Sequence, residues 1–127
     1  MDQKTFDEGL EIRRAVLGPE YVDASIASAD EFTRPLQELV TQYVWGEIWS
    51  RPGLDRRTRS IVNLGMIAAL GRTHELKLHV RGAVRNGVTR TEIREIFLQV
   101  AAYCGMPAAI EAFRAAREAF AELDQGK

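Results

Sequence analysis

Both histidines of the chain fall in one short stretch, residues 71–87 (GRTHELKLHVRGAVRNG). Glu75 precedes His79 by four residues, so in a helix the two side chains share a face one turn apart. A glutamate accepting from one ring nitrogen fixes the tautomer and favours the protonated ring, leaving the other nitrogen to give or take a proton. Shielded from water, such a pair can handle protons in catalysis; fully wet, it is an ordinary intrahelical contact worth about 0.2–0.5 kcal/mol. His74 is different. It lies five residues before His79, about 140° away around a helix, so one metal ion cannot easily take both rings. HELKLH is therefore not the zinc-protease H-E-x-x-H, and His74 reads as a solvated surface residue.

Other chemistry is narrowed by what the residue types permit. Cys104 is the sole cysteine, which excludes an internal disulfide, a Cys-x-x-Cys redox centre and a thiolate zinc site. No G-x-S-x-G nucleophile motif or glycine-rich phosphate loop occurs. Lys77 is off the Glu75/His79 face, which argues against a Schiff base. An enzyme built from this inventory works with acid–base groups, arginines and burial, without a covalent cofactor; no cofactor or metal is expected. Two further places suit a small anion. The segment YVWGEIWSRPGL gathers Trp45, Glu47, Trp49 and Arg51, and mixed aromatic and charged loops are where binding sites concentrate. Arg59 and Ser60 sit in the first turn of a predicted helix, at the positive end of its dipole.

The elements that must hold these residues read as helices throughout. Residues 3–17 form one, with Phe6, Leu10, Ile12 or Arg13, and Leu17 inward, Thr5 and Glu8 at capping-box spacing, and Gly18-Pro19 as the stop. A short helix over 20–27 follows. Residues 31–45 are helical with Phe32, Leu36, Leu39, Val40 and Tyr43 as the apolar stripe, and Pro35 places the start near 32–34. The tryptophan segment is aperiodic and reads as a loop. Asp55 caps a helix over 56–70, whose second half, IVNLGMIAAL, is apolar nearly all round and so predicted to be buried on most faces, in the centre of a bundle or at a subunit interface. The 71–87 stretch is an amphipathic helix opened by Thr73, with Leu76, Val80, Ala83 and Val84 as its stripe. Thr89 and Glu92 form a capping box for a helix turning Ile93, Ile96, Phe97, Val100, Ala101 and Cys104 inward. After Gly105-Met106-Pro107, a last helix over 108–123 presents Ile110 or Ala109, Phe113, Ala116 and Phe120. No segment alternates with period two, so the class is all-α, a compact bundle of six to seven helices.

At 127 residues the chain is expected to form a single domain spanning 1–127. A net charge of −1 gives no basic excess for nucleic acid. Three of the 17 basic residues are lysines (Lys4, Lys77, Lys127) and the rest arginines, the side chain suited to a bidentate grip on carboxylates. No signal peptide or membrane span is visible, so a cytoplasmic location is expected. The all-round apolar helix in so short a chain predicts a shared subunit surface, a homo-oligomer.

Two long passages carry a family resemblance: WGEIWSRPGLDRRTRSIVNLGMIAALGR and HELKLHVRGAVRNGVTRTEIREIFLQVAAYCGMPAAIEAFRAA. Together they resemble the carboxymuconolactone decarboxylase and alkylhydroperoxidase D superfamily, and the decarboxylase branch above all. The W-S-R-P-G-L segment, the E-L-x-x-H core, the N-G-V-T turn and the Y-x-G-x-P break are the specific parts. The redox branch carries C-x-x-C-x-x-x-H on this helix. With its histidine on His79, the cysteine places fall at Arg72 and Glu75, so thiol peroxidase chemistry is not expected. The resemblance implies an all-α fold, trimers or hexamers, and cofactor-independent decarboxylation of 4-carboxymuconolactone, a lactone dicarboxylate of aromatic catabolism. On that reading His79 donates the proton, oriented by Glu75, or Glu47 is the acid in its place. Arg51 and Arg59 grip the carboxylate that stays, and Trp49 and Tyr103 wall the pocket.

Overall fold

A computed structural model describes residues 2–126; Lys127, counted above among the lysines, lies outside them. Among the described residues there are seven α-helices, one π-helix and no strand, which makes the chain all-α. No helix in this set is long and apolar enough to cross a membrane. The helices fall into two compact units, 1–55 and 56–127.

The first unit holds α1 (Gln3–Leu17), α2 (Pro19–Ala27), α3 (Arg34–Leu39) and a π-helix over Val40–Ile48. Asp2, rather than Thr5, caps α1: its carboxylate accepts from the Lys4 backbone N–H (3.1 Å) and the Thr5 hydroxyl (2.6 Å). Asp outranks a threonine already inside the first turn, because only the cap residue reaches the unpaired N–H groups. Gly18, at φ 94°, ends α1 and leads to Pro19 at the start of α2. Both Ile12 and Arg13 are buried. Arg13 is accommodated because its Nη1 donates to Gln37 Oε1 (2.9 Å) and Thr41 Oγ1 (3.1 Å), the second of these a fully buried hydroxyl.

The first half of the tryptophan segment, up to Ile48, is helix rather than loop, wound with i→i+5 bonds, while residues 49–55 are turns and bends as expected; the Trp49 N–H reaches the Val44 carbonyl at 3.0 Å. A 3.6-residue template misses it because the wider turn shifts each side chain off that period. Close packing against α1 depends on two glycines. A Cβ on Gly9 would lie 2.0 Å from the Thr41 carbonyl oxygen, and one on Gly46 would lie 2.4 Å from that of Thr5. The expected stripe of α3 does not face inward. Phe32, Leu36, Leu39 and Tyr43 are all exposed, Phe32 at 91%.

The second unit contains α4 (Arg56–Leu70), α5 (Thr73–Arg85), α6 (Arg90–Cys104) and α7 (Met106–Asp124). Its core joins Leu64 and Ala68 of α4, Leu76, Val80 and Ala83 of α5, and Ile93, Phe97 and Val100 of α6. Against these lie the alanines of α7, Ala112, Ala115, Ala116 and Ala119. Small side chains on α7 let its backbone approach, so Ala109 is buried while Ile110 and Phe113 remain partly exposed. Helix α4 is not buried on most faces within the chain: Ser60, Leu64 and Ala68 are buried, while Val62, Met66 and Leu70 form an exposed stripe.

Two boundaries also differ. Thr73 is the first residue of α5, after an Arg72 cap position that has no side-chain bond, so it does not cap. Pro107 fits the first turn of α7, which therefore starts at Met106. The Thr89/Glu92 capping box is present as read. Cys104 ends α6 on the surface, not inward.

Candidate active site

Helix α5 brings the acid and the imidazole together as the spacing requires. Its turn back toward α4 is made by Gly71 at φ 71° and its end by Gly87 at φ 90°, left-handed positions that glycine adopts freely. Leu76, Val80 and Ala83 bury one side of α5. His79 lies at the edge of that side, half-buried, with Glu75 exposed one turn earlier. Two opposing effects act on the ring. Burial pushes the His79 pKa down, and the Glu75 charge pulls it up by less, so it lies below the usual 6.5. The sequence reading, in which Glu75 favours the charged ring, has the sign of the carboxylate effect right and omits the larger desolvation.

Arg59, half-buried, stands in the first turn of α4 beside the buried Ser60. That end of α4 is fastened to the end of α5 by a residue sequence reasoning passed over. Asn86 Nδ2 donates to Ser60 Oγ at 2.9 Å and to the Arg56 carbonyl at 3.4 Å. The available signal was its spacing, seven residues after His79 and so on the same helix face. Arg81 and Arg85 were likewise overlooked. Arg81 pairs with Glu122 of α7 at 3.1 Å, and Arg85 has its pKa lowered by burial and by the neighbouring Arg81 charge. With Arg59 they make α4 and α5 the cationic part of this unit. Tyr103, expected as a pocket wall, is 85% exposed in the last turn of α6.

The remaining candidates belong to the first unit. Trp49 follows the π-helix and is buried, stacked on Trp45 with ring centroids 4.7 Å apart. This packing anchors the exit of the π-helix, where Glu47 and Arg51 are both exposed. The Arg51 N–H closes the turn onto the Ile48 carbonyl at 3.1 Å. The acidic, aromatic and basic side chains of this segment are thus held within five residues on an anchored turn.

All seven candidate residues fall within residues 34–118, the part of the chain that matches the profile of the "Carboxymuconolactone decarboxylase family". The match covers well over half of the sequence: the chain belongs to that family. It is 52% identical over 112 residues to the nitrosuccinic acid decarboxylase of Metarhizium robertsii, an alignment covering 88% of this chain and 78% of that protein. It is 41% identical over 122 residues to the 4-carboxymuconolactone decarboxylase of Acinetobacter baylyi, covering 96% and 91%. An uncharacterized 15.0 kDa protein of Paracoccus denitrificans is 28% identical over 125 residues, covering 97% and 92%. The family is a decarboxylase family, and its two named relatives here act on different acids.

Proposed function

We propose that this chain is a cofactor-independent decarboxylase, working as one domain, that converts 4-carboxymuconolactone to the β-ketoadipate enol-lactone. The observation that carries this reading is the half-buried His79 with Glu75 one turn away on a helix of decarboxylase-family sequence. The chemistry needs no electron sink from the protein. The bond from the ring carbon to the departing carboxylate breaks, CO₂ leaves neutral, and the electron pair enters the conjugated C=C–C=O of the lactone as a dienolate. The enzyme then holds a second carboxylate, stabilises charge on the lactone oxygen, and returns one proton to carbon.

Arg51 and Arg59 grip the carboxylate that stays, Arg59 with the help of its helix N-terminus. His79 delivers the proton. Its ring is neutral in the free protein near neutral pH, and a doubly charged substrate beside it favours the imidazolium, so binding itself arms the acid. Glu47 is the alternative acid. A desolvated surrounding, the same cause that lowers the His79 pKa, also favours loss of charge from the departing carboxylate.

A second reading has its own support in the 52% identity to the nitrosuccinic acid decarboxylase. Nitrosuccinic acid is likewise a dicarboxylate with its own electron sink, since a carbanion beside a nitro group is held as the nitronate. The two readings share the arginine grip, the departing CO₂ and the returned proton, and differ in the sink. Supplying purified protein with each acid and following CO₂ release decides between them. Turnover of the lactone with growth of enol-lactone absorbance is the expected result; release only from nitrosuccinic acid transfers the function to the second reading, and release from neither removes both. We further propose a homo-oligomer, trimeric or hexameric, in which the exposed stripe of α4 is covered.

A further inference from the structure

Between α6 and α7 runs a groove of about 480 Å³, all of it within the second unit and lined by none of the candidate active-site residues. Its floor is aromatic. Phe97 is fully buried, Phe113 meets it edge-on at 5.9 Å while remaining 38% exposed, and Phe120 is half-buried. Its rim is cationic: Arg90, Arg94 and Arg117 line it, with Asp124 as the only acid among the lining residues. The three guanidiniums are not equivalent. Arg90 lies over the Phe120 ring at 4.6 Å and is ion-paired with Asp124, and Arg94 is paired with Glu95 at 3.2 Å. Arg117 has no ion pair among the described residues.

We propose that this groove is a binding site for an aromatic monocarboxylate, its ring against Phe113 and Phe120 and its carboxylate on Arg117. Size and charge both select that occupant. The volume is that of a small-molecule site, whereas a stable protein partner needs about 800 Å² on each side. An apolar floor with one uncompensated guanidinium at its edge matches a planar apolar body carrying one anion, and a planar fork binds a carboxylate through two parallel bonds. The ring adds edge or offset stacking on the accessible phenylalanines.

The test is titration of the full chain at pH 7 with benzoate, followed by amide NMR shifts of α6 and α7, with benzamide as the uncharged ring. Benzoate should bind saturably, benzamide at least fivefold more weakly, and Arg117→Gln should weaken benzoate at least fivefold without changing the benzamide shifts. A Phe113→Ala variant should weaken both ligands. Equal affinity of benzoate for the wild type and Arg117→Gln overturns the proposal, as does equal binding of benzamide. Shifts in these amides that follow protein concentration and ignore benzoate also overturn it, because the occupant is then a second copy. The readout is binding, not turnover, so it stands or falls separately from the decarboxylase reading.

Discussion

His79 shows how one side chain can be placed by sequence yet have its charge set by the fold. The i, i+4 spacing from Glu75 was legible, because a helix imposes it; the half-buried edge position was not, because it depends on tertiary packing rather than on local spacing. The depressed pKa has two measurable consequences. If His79 must be protonated to deliver its proton, kcat/KM falls as pH rises through the free-protein pKa, and that limb lies below 6.5. His79→Gln should remove the limb and lower kcat by about 10²-fold or more, with the far-UV spectrum unchanged. Full turnover by that variant assigns the acid to Glu47 or another group. Stability has the matching sign. The unfolded chain binds the proton more readily, so this contribution is complete above pH 6.5 and is lost as pH falls toward and through the folded-state value. Urea midpoints measured from pH 7.5 to 5 should decline more steeply for the wild type than for His79→Gln.

Among the elements, those with a regular period or a local cap were legible: α1, α5, α6 and the Thr89/Glu92 box follow from three- and four-residue spacings. The π-helix was not, since its bonds skip one residue further and the packing that holds it lies in α1, far along the chain. Gly9 and Gly46 are the visible trace of that packing, and glycine in the interior of a helix otherwise weakens it. Gly46→Ala should therefore cost about 1–3 kcal/mol by forcing α1 away from the π-helix, seen as a lower urea midpoint. Gly65 in α4 is the control. A Cβ there meets nothing within 4 Å, so Gly65→Ala should be neutral or stabilise by up to about 1 kcal/mol. Equal effects at the two positions would mean that the close approach is not what the glycine at 46 serves.

At the scale of the whole molecule, helical spacings with no period-two segment foretold an all-α chain, but not which apolar surface stays outside. The reading of α4 as apolar all round was right in residue type; Leu64 and Ala68 go to the core, and Val62, Met66 and Leu70 do not. Such a stripe is more than scattered surface hydrophobes and suits a subunit contact. Met66→Glu should shift light-scattering mass toward the 14.3 kDa chain while leaving helix content intact. A wild-type mass already at 14.3 kDa overturns the proposed oligomer, and a larger mass that Met66→Glu leaves unchanged places the contact elsewhere. In the proposed oligomer, Met66 becomes a sensor of whether the stripe is covered. Met66 and Met106 are comparably exposed, at 52% and 60%, and only the first lies on the stripe. A thioether turned to sulfoxide becomes polar and loosens an apolar contact. Mild peroxide should then mark Met106 at every protein concentration but reach Met66 only after dilution, and once oxidised there, a dissociated chain would be kept from its partners until a reductase restored the sulfur.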